Sequence, residues 1–148
     1  MSRCGDGQFR EHPDVTPVIV HASTVAVDGR GVLIRGASGS GKSALALQLI
    51  ALGAALVADD RTVLTRDGDR VVADAPKTIH GLIEARGVGL LHCAAVGPAP
   101  LALIVDMDQP EPKRLPDKRQ DQLLGVTLPV LRNPGAAHFP AAILLYLK

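Results

Sequence analysis

Gly36-Ala37-Ser38-Gly39-Ser40-Gly41-Lys42-Ser43 spells G-x-x-x-x-G-K-S, and the segments on either side decide what it means. Before it, Val32-Leu33-Ile34 reads as a short buried strand; after it, Ala44 to Leu52 reads as a helix, with Gly53 placed to cap its C-terminus. Strand, glycine-rich loop and helix in that order make a phosphate-binding P-loop. The glycines let successive backbone N–H groups turn inward around an anion, and the helix adds the positive end of its dipole. Lys42 then reaches the β- and γ-phosphates of a nucleotide, and the Ser43 hydroxyl serves Mg²⁺. The four fixed positions alone match by chance in on the order of one chain in a hundred of this length. The flanking strand and helix are what make the motif specific.

At 148 residues, 47% of them hydrophobic, the chain is long enough for one domain with a full core, placed at residues 17–148 behind a loose tail of residues 1–16. A net charge of +1 without a basic run gives no electrostatic case for nucleic acid or an anionic membrane. No apolar stretch approaches the ~20 residues that span a bilayer, and Met1 to Asp14 is too polar for a signal peptide. A cytoplasmic protein is the expectation. Cys4 and Cys93 stand apart, without the spacing of a zinc site or disulfide framework; Cys93 reads as a small buried hydrophobe and Cys4 as tail. Phe9, Phe139 and Tyr146 are the only aromatics, so no stacking platform for bases exists and the core must be Val, Leu, Ile and Ala.

In chain order, Val18-Ile19-Val20 and Thr24 to Val27 read as strand, and Asp28-Gly29 turns the chain into the P-loop strand. The P-loop strand therefore gains an antiparallel neighbour at once, unlike an ordinary parallel P-loop sheet. His21, within this segment, reads by itself as a structural histidine. Two apolar strands end in acids, Ala54 to Asp60 and Leu101 to Asp106, and either suits the carboxylate that serves the metal of a P-loop enzyme. The doubled Asp59-Asp60 favours the first, because one acid can serve metal or water and the other proton transfer. Thr62 to Thr65 and Arg70 to Ala73 form a hairpin through Asp67-Gly68-Asp69. Glu84 and Arg86 stand beside two glycines in an apolar stretch, either as an ion pair at a turn or, the preferred reading, against a charged ligand. Gln109 to Gln122 reads as an exposed loop or a lid bringing Arg114 to the phosphates. Val126 to Leu131 is a further strand, and Pro140 to Lys148 a short helix with proline in its first turn.

The P-loop, then Leu56-Val57-Ala58-Asp59-Asp60, then Ile83-Glu84-Ala85-Arg86-Gly87-Val88-Gly89-Leu90-Leu91, together resemble the catalytic domain of bacterial HPr kinase/phosphorylase. The third motif makes the likeness specific, and it runs from about His21 to Arg132. The resemblance implies an α/β P-loop kinase domain of the phosphoenolpyruvate-carboxykinase-like type, a mixed β-sheet with hairpins and few helices. It implies an ATP-dependent kinase acting on a serine of HPr, the small phosphocarrier protein of the sugar phosphotransferase system. Removal of that phosphate by phosphorolysis, consuming inorganic phosphate and releasing pyrophosphate, belongs to the same family. The implied roles are Lys42 on the phosphates, Ser43 and Glu84 on Mg²⁺, Asp60 as general base, His21 near the transferred phosphoryl group and Arg114 as catalytic arginine. Asp59, Arg86 and Arg132 are supporting candidates, and the family's hexamers make a homo-oligomer the expectation.

The chain departs from the family pattern in several places. Ala44 follows Ser43 where an acid is usual, Ala22 follows His21 where glycine is usual, and Leu131-Arg132-Asn133-Pro134 matches only part of the Gly-Arg-Asn segment tied to phosphorolysis. The family's N-terminal domain is expected to be missing, as in short alphaproteobacterial forms, so kinase activity is the better-supported half. Two rivals stand beside it: a small-molecule kinase on the same scaffold, and a nucleotide-sensing module in which binding orders residues 109–122 without transfer.

Overall fold

The structure, a computed structural model, describes residues 16–148. The tail expected over residues 1–16, and Cys4 within it, lie outside the described residues apart from Thr16. Three parallel strands form the centre. β3 (Arg30–Arg35) runs into the P-loop, β9 (Ala99–Pro110) lies beside it, and β11 (Val126–Asn133) lies beyond β9. Antiparallel strands extend this trio on both flanks. β2 (Ala22–Val27) pairs with β3 and with β4 (Ala55–Ala58). On the far side the start of β9 pairs with β6 (Arg70–Asp74), which pairs with β5 (Thr62–Asp67), which pairs with β1 (Val18–Val20). β10 (Arg119–Leu123) pairs only with β11, and β7 (Leu82–Ala85) with β8 (Gly89–His92) makes a separate ribbon.

The hairpin expected before the P-loop is present: Val27 faces Arg30 across a two-residue turn in which Asp28 (φ 51) and Gly29 (φ 78) are both left-handed. That conformation matches strand twist and selects Asp-Gly. α1 (Lys42–Ala51) and α2 (Phe139–Tyr146) are the α-helices among the described residues, and both pack on one face of the sheet. Val32, Ile34, Leu103 and Val105 meet Leu45, Leu49, Phe139 and Ile143 there, while Leu33, Leu101 and Ile104 pack with Leu64, Val71 and Leu128 on the opposite face. Leu101 and Leu103 would share a face in a regular strand. They do not, because Gly31 pairs with Leu101 and Val32 with Leu103, leaving Ala102 as an extra residue. Such a bulge flips the alternation and lets β9 feed both cores.

Gln109–Gln122 corrects the expectation of a continuous loop. Pro110 still belongs to β9 and Arg119 to Leu123 form β10, so the loop is confined to residues 111–118. β10 carries Arg-Gln-Asp-Gln in place of an apolar alternation because it is an edge strand whose side chains are largely exposed. Pro129 is tolerated inside β11 because pairing with β9 begins only at Val130.

Candidate active site

The P-loop leaves β3 at Arg35 and re-enters helix at Lys42, with Gly41 at the N-cap in a left-handed conformation (φ 99). No side chain caps α1 and no acid stands in its first turn, so its first amides present their positive ends to an anion. Gly36 (φ 151) is held by sterics as well: a Cβ there would stand 2.6 Å from Ser40 Oγ and 3.2 Å from Met107 Cβ. Lys42 is buried, and its Nζ donates to the carbonyl oxygens of Gly36 (2.7 Å) and Ala37 (3.1 Å). Two neutral acceptors fix the ammonium over the loop without neutralising it. Ser40 Oγ is enclosed without a hydrogen-bond partner among the described residues, an open donor inside the cradle.

Asp59, at the end of β4, is the hub of the carboxylate side. Its Oδ1 accepts from Ser43 Oγ at 2.6 Å and Ser23 Oγ at 2.8 Å, and its Oδ2 accepts from the Glu84 amide at 3.0 Å. One buried carboxylate thus ties β2, the P-loop helix and β7 together. Ser23 Oγ also accepts from the Asp60 amide at 3.0 Å, and the Asp60 carbonyl accepts from the Ala22 amide at 3.1 Å. These contacts hold Asp60 at φ 67, a left-handed conformation rare outside glycine. The turn swings the Asp60 side chain away from buried Asp59 and into a cavity of about 450 Å³. Lys42, Ser43, Glu84 and Arg86 line the same cavity.

Asp60 and Glu84 therefore converge on the cavity that holds Lys42 and Ser43, while Asp59 underpins it. Glu84 and Arg86 do not pair with one another among the described residues. His21 is exposed and directly precedes Ala22, whose amide binds the Asp60 carbonyl, yet it does not line the cavity. Arg114 and Arg132 are not brought to it either; they line a second cavity of about 230 Å³ beside α2, with His138 and Tyr146. Asp106, the rival strand-terminal acid, is engaged by Arg35 Nε at 3.4 Å. Sequence reasoning missed Ser23 and Asp108. Ser23 showed only as a hydroxyl in an apolar strand; the Asp108 carboxylate, from β9, accepts from the Ala37 amide at 2.9 and 3.0 Å.

The donors suit Mg²⁺ in one specific sense. Mg²⁺ at phosphoryl-transfer sites takes one or two protein oxygens and completes its shell with water and phosphate. Ser43, Asp60 and Glu84 supply hard oxygen donors facing the cavity, and no cluster of three or more His, Cys, Asp or Glu able to cage a metal unaided occurs among the described residues. Nearby, Cys93 lies half-buried, and burial together with the Asp59 carboxylate pushes its thiol pKa up.

Residues 15–131 match the family model described as HPr Serine kinase C-terminal domain. The HPr kinase/phosphorylase of Azoarcus sp. (strain BH72) is 35% identical, over 86% of this chain and 45% of that protein. That of Geobacillus thermodenitrificans (strain NG80-2) is 36% identical, over 78% of this chain and 41% of that protein. Among solved structures, the HPr(Ser) kinase/phosphatase from Coxiella burnetii is similar with a TM-score of 0.74 at 26% identity, covering 88% of this chain and 93% of that one. The chain spans less than half the length of the curated relatives.

Proposed function

The chain belongs to the HPr serine kinase C-terminal domain family, and from that premise we propose that it is an ATP-dependent kinase of a serine in HPr. The observation that carries the reading is the shared cavity: Asp60 and Glu84 face the same space as Lys42 and Ser43. Asp60 accepts the proton of the serine hydroxyl as that oxygen bonds to the γ-phosphorus, and ADP departs with the electron pair of the broken bond. Lys42, held by two loop carbonyls, offsets charge on the phosphate oxygens. Ser43 and Glu84 would hold Mg²⁺, which when bound neutralises phosphate charge, and Asp59 orients the Ser43 hydroxyl.

The names of the relatives favour phosphorolysis of phosphoserine as a second activity at this site. There inorganic phosphate attacks phosphoserine, Asp60 returns the proton to the departing serine oxygen, and pyrophosphate is released. In this reading HPr is the partner, the cytoplasm the location and a homo-oligomer the assembly.

The test is transfer of label from γ-labelled ATP to HPr in magnesium buffer. Label on an HPr serine is expected, falling about 10²–10⁴-fold in Asp60→Asn, a loss of roughly 3–5 kcal/mol of transition-state stabilisation, with nucleotide binding retained. Nucleotide binding without label on HPr, or near-full transfer by Asp60→Asn, refutes the proposal or removes Asp60 from the role.

A further inference from the structure

Two cavities flank the first turns of α1, and they differ in character. The cavity described above, on the side of β2 and β4, is lined by Lys42, Asp60, Glu84 and Arg86. The other, of about 320 Å³, is bounded by Gly41 at the N-cap of α1, Ala44 and Gln48 of that helix, Met107 of β9, Asn133 at the end of β11, Gly135 to Ala137, and Phe139 and Pro140 of α2. No acidic, basic or imidazole side chain lines it. Leu45, Met107, Phe139 and Pro140 give it apolar walls, and its polar side chains are two amides, Gln48 and Asn133.

From this we infer that the uncharged cavity beside Met107 and Phe139 is the nucleoside subsite, receiving the base of the nucleotide whose phosphates lie on the P-loop. The inference rests on the kinase reading above. Transfer needs the terminal phosphate at Asp60 and Glu84, on the β2 and β4 flank of β3. The triphosphate crosses the helix N-terminus, so its other end emerges on the opposite flank, where β9 and β11 lie. There the cavity opens, at the carboxyl ends of three parallel strands, the place where open α/β sheets put their ligands. An uncharged lining excludes phosphate from the cavity and suits a flat, neutral heterocycle; the Met107 thioether adds a favourable contact to an aromatic ring. This revises the expectation drawn from scarce aromatics: a base needs no stacking platform when Leu45, Met107 and Phe139 offer it an apolar floor.

Specificity follows from the same lining. Asn133 Oδ1 already accepts from the Gly135 amide at 2.9 Å, which leaves its Nδ2 to donate. Every purine offers ring-nitrogen acceptors to such a donor. Asn133 Nδ2 is then the fixed side-chain donor, one that both purines satisfy, so ATP and GTP bind within about tenfold of each other.

The experiment compares ATP, GTP and inorganic tripolyphosphate, each with Mg²⁺, by titration calorimetry on the full chain. Parent protein prefers ATP to tripolyphosphate by about tenfold or more. Ala137→Trp and Gln48→Trp each fill the cavity from an exposed position on a different wall, so both are expected to fold, checked by thermal unfolding. Both should lose the preference for ATP while keeping tripolyphosphate affinity. Unchanged ATP preference in both overturns the inference, as does its loss in Val88→Trp, at the rim of the charged cavity, with neither of the others affected. GTP weaker than ATP by far more than tenfold overturns the specificity claim. All these readouts are binding, so absence of transfer to HPr would strike the kinase reading and leave the location of the base to be judged by the titrations.

Discussion

Asp59 accepts three hydrogen bonds from neutral donors on three elements, and this explains why the Asp60 side chain rather than that of Asp59 faces the cavity. A doubled acid at a strand end is legible in the sequence; the division of labour between the two is not. It depends on Ser23, 36 residues upstream, bonding to Asp59 and to the Asp60 amide. Cys93 offers a direct probe of the Asp59 charge. Burial is the larger cause of its raised pKa and the Asp59 carboxylate the lesser, both disfavouring the thiolate. Because only the thiolate is nucleophilic, Cys93 in the native protein should alkylate more slowly at pH 8 than an ordinary free thiol. In Asp59→Asn one raising cause is removed, so the midpoint of the rate-against-pH curve should move down and the rate at pH 8 rise. Peptide-resolved mass spectrometry after iodoacetamide, which separates Cys93 from Cys4, measures both; an unmoved midpoint would deny the coupling.

The end of β9 supports the P-loop along its length. Asp106 pairs with Arg35 as the chain leaves β3, Met107 underlies Gly36 and Gly41, and Asp108 accepts the Ala37 amide. Arg35 also binds Asp121 of β10 at 2.8 Å and holds that carboxyl below the usual carboxylate range. In the sequence β9 was visible only over Leu101 to Asp106, where it is apolar on both faces. Its last residues, Met107-Asp108-Gln109-Pro110, have loop composition, yet they continue the strand because they pack on the P-loop and end at a sheet rim. Asp108 is exposed, so its removal should leave the unfolding midpoint nearly unchanged while loosening the loop. Asp108→Ala is expected to raise the KM for ATP roughly 3–10-fold with little change in kcat, the loss of one backbone hydrogen bond. Asp108→Asn, whose amide oxygen still accepts, should recover most of it. Steady-state kinetics on the three proteins check this, and a fall in kcat at constant KM would give Asp108 a different role.

At the scale of the molecule, the pairs that the sequence revealed are the near ones. The β2–β3 and β5–β6 hairpins close over two residues, and local turn chemistry announces them. The pairs that build the site are distant: β3 with β9, about 70 residues on, and β9 with β11. Hydrophobic period marks a strand but does not name its partner, so neither the parallel trio nor the second cavity beside α1 could be read in advance. The closing of that site by distant segments has a thermodynamic consequence. The P-loop, Asp59 and Glu84 come together only in the folded chain, so under the proposed function the unfolded chain has no nucleotide site to compete. Mg²⁺–ATP at about 100 times its Kd should then stabilise the fold by about 2.7 kcal/mol, raising Tm by roughly 5–11 °C. Chelating the metal with EDTA should remove most of that shift, because under the proposed function Ser43 and Glu84 would hold the Mg²⁺ that offsets phosphate charge. Thermal unfolding with ATP, with and without EDTA, decides it: a shift that survives chelation would mean that Lys42 and the loop amides alone carry the phosphates.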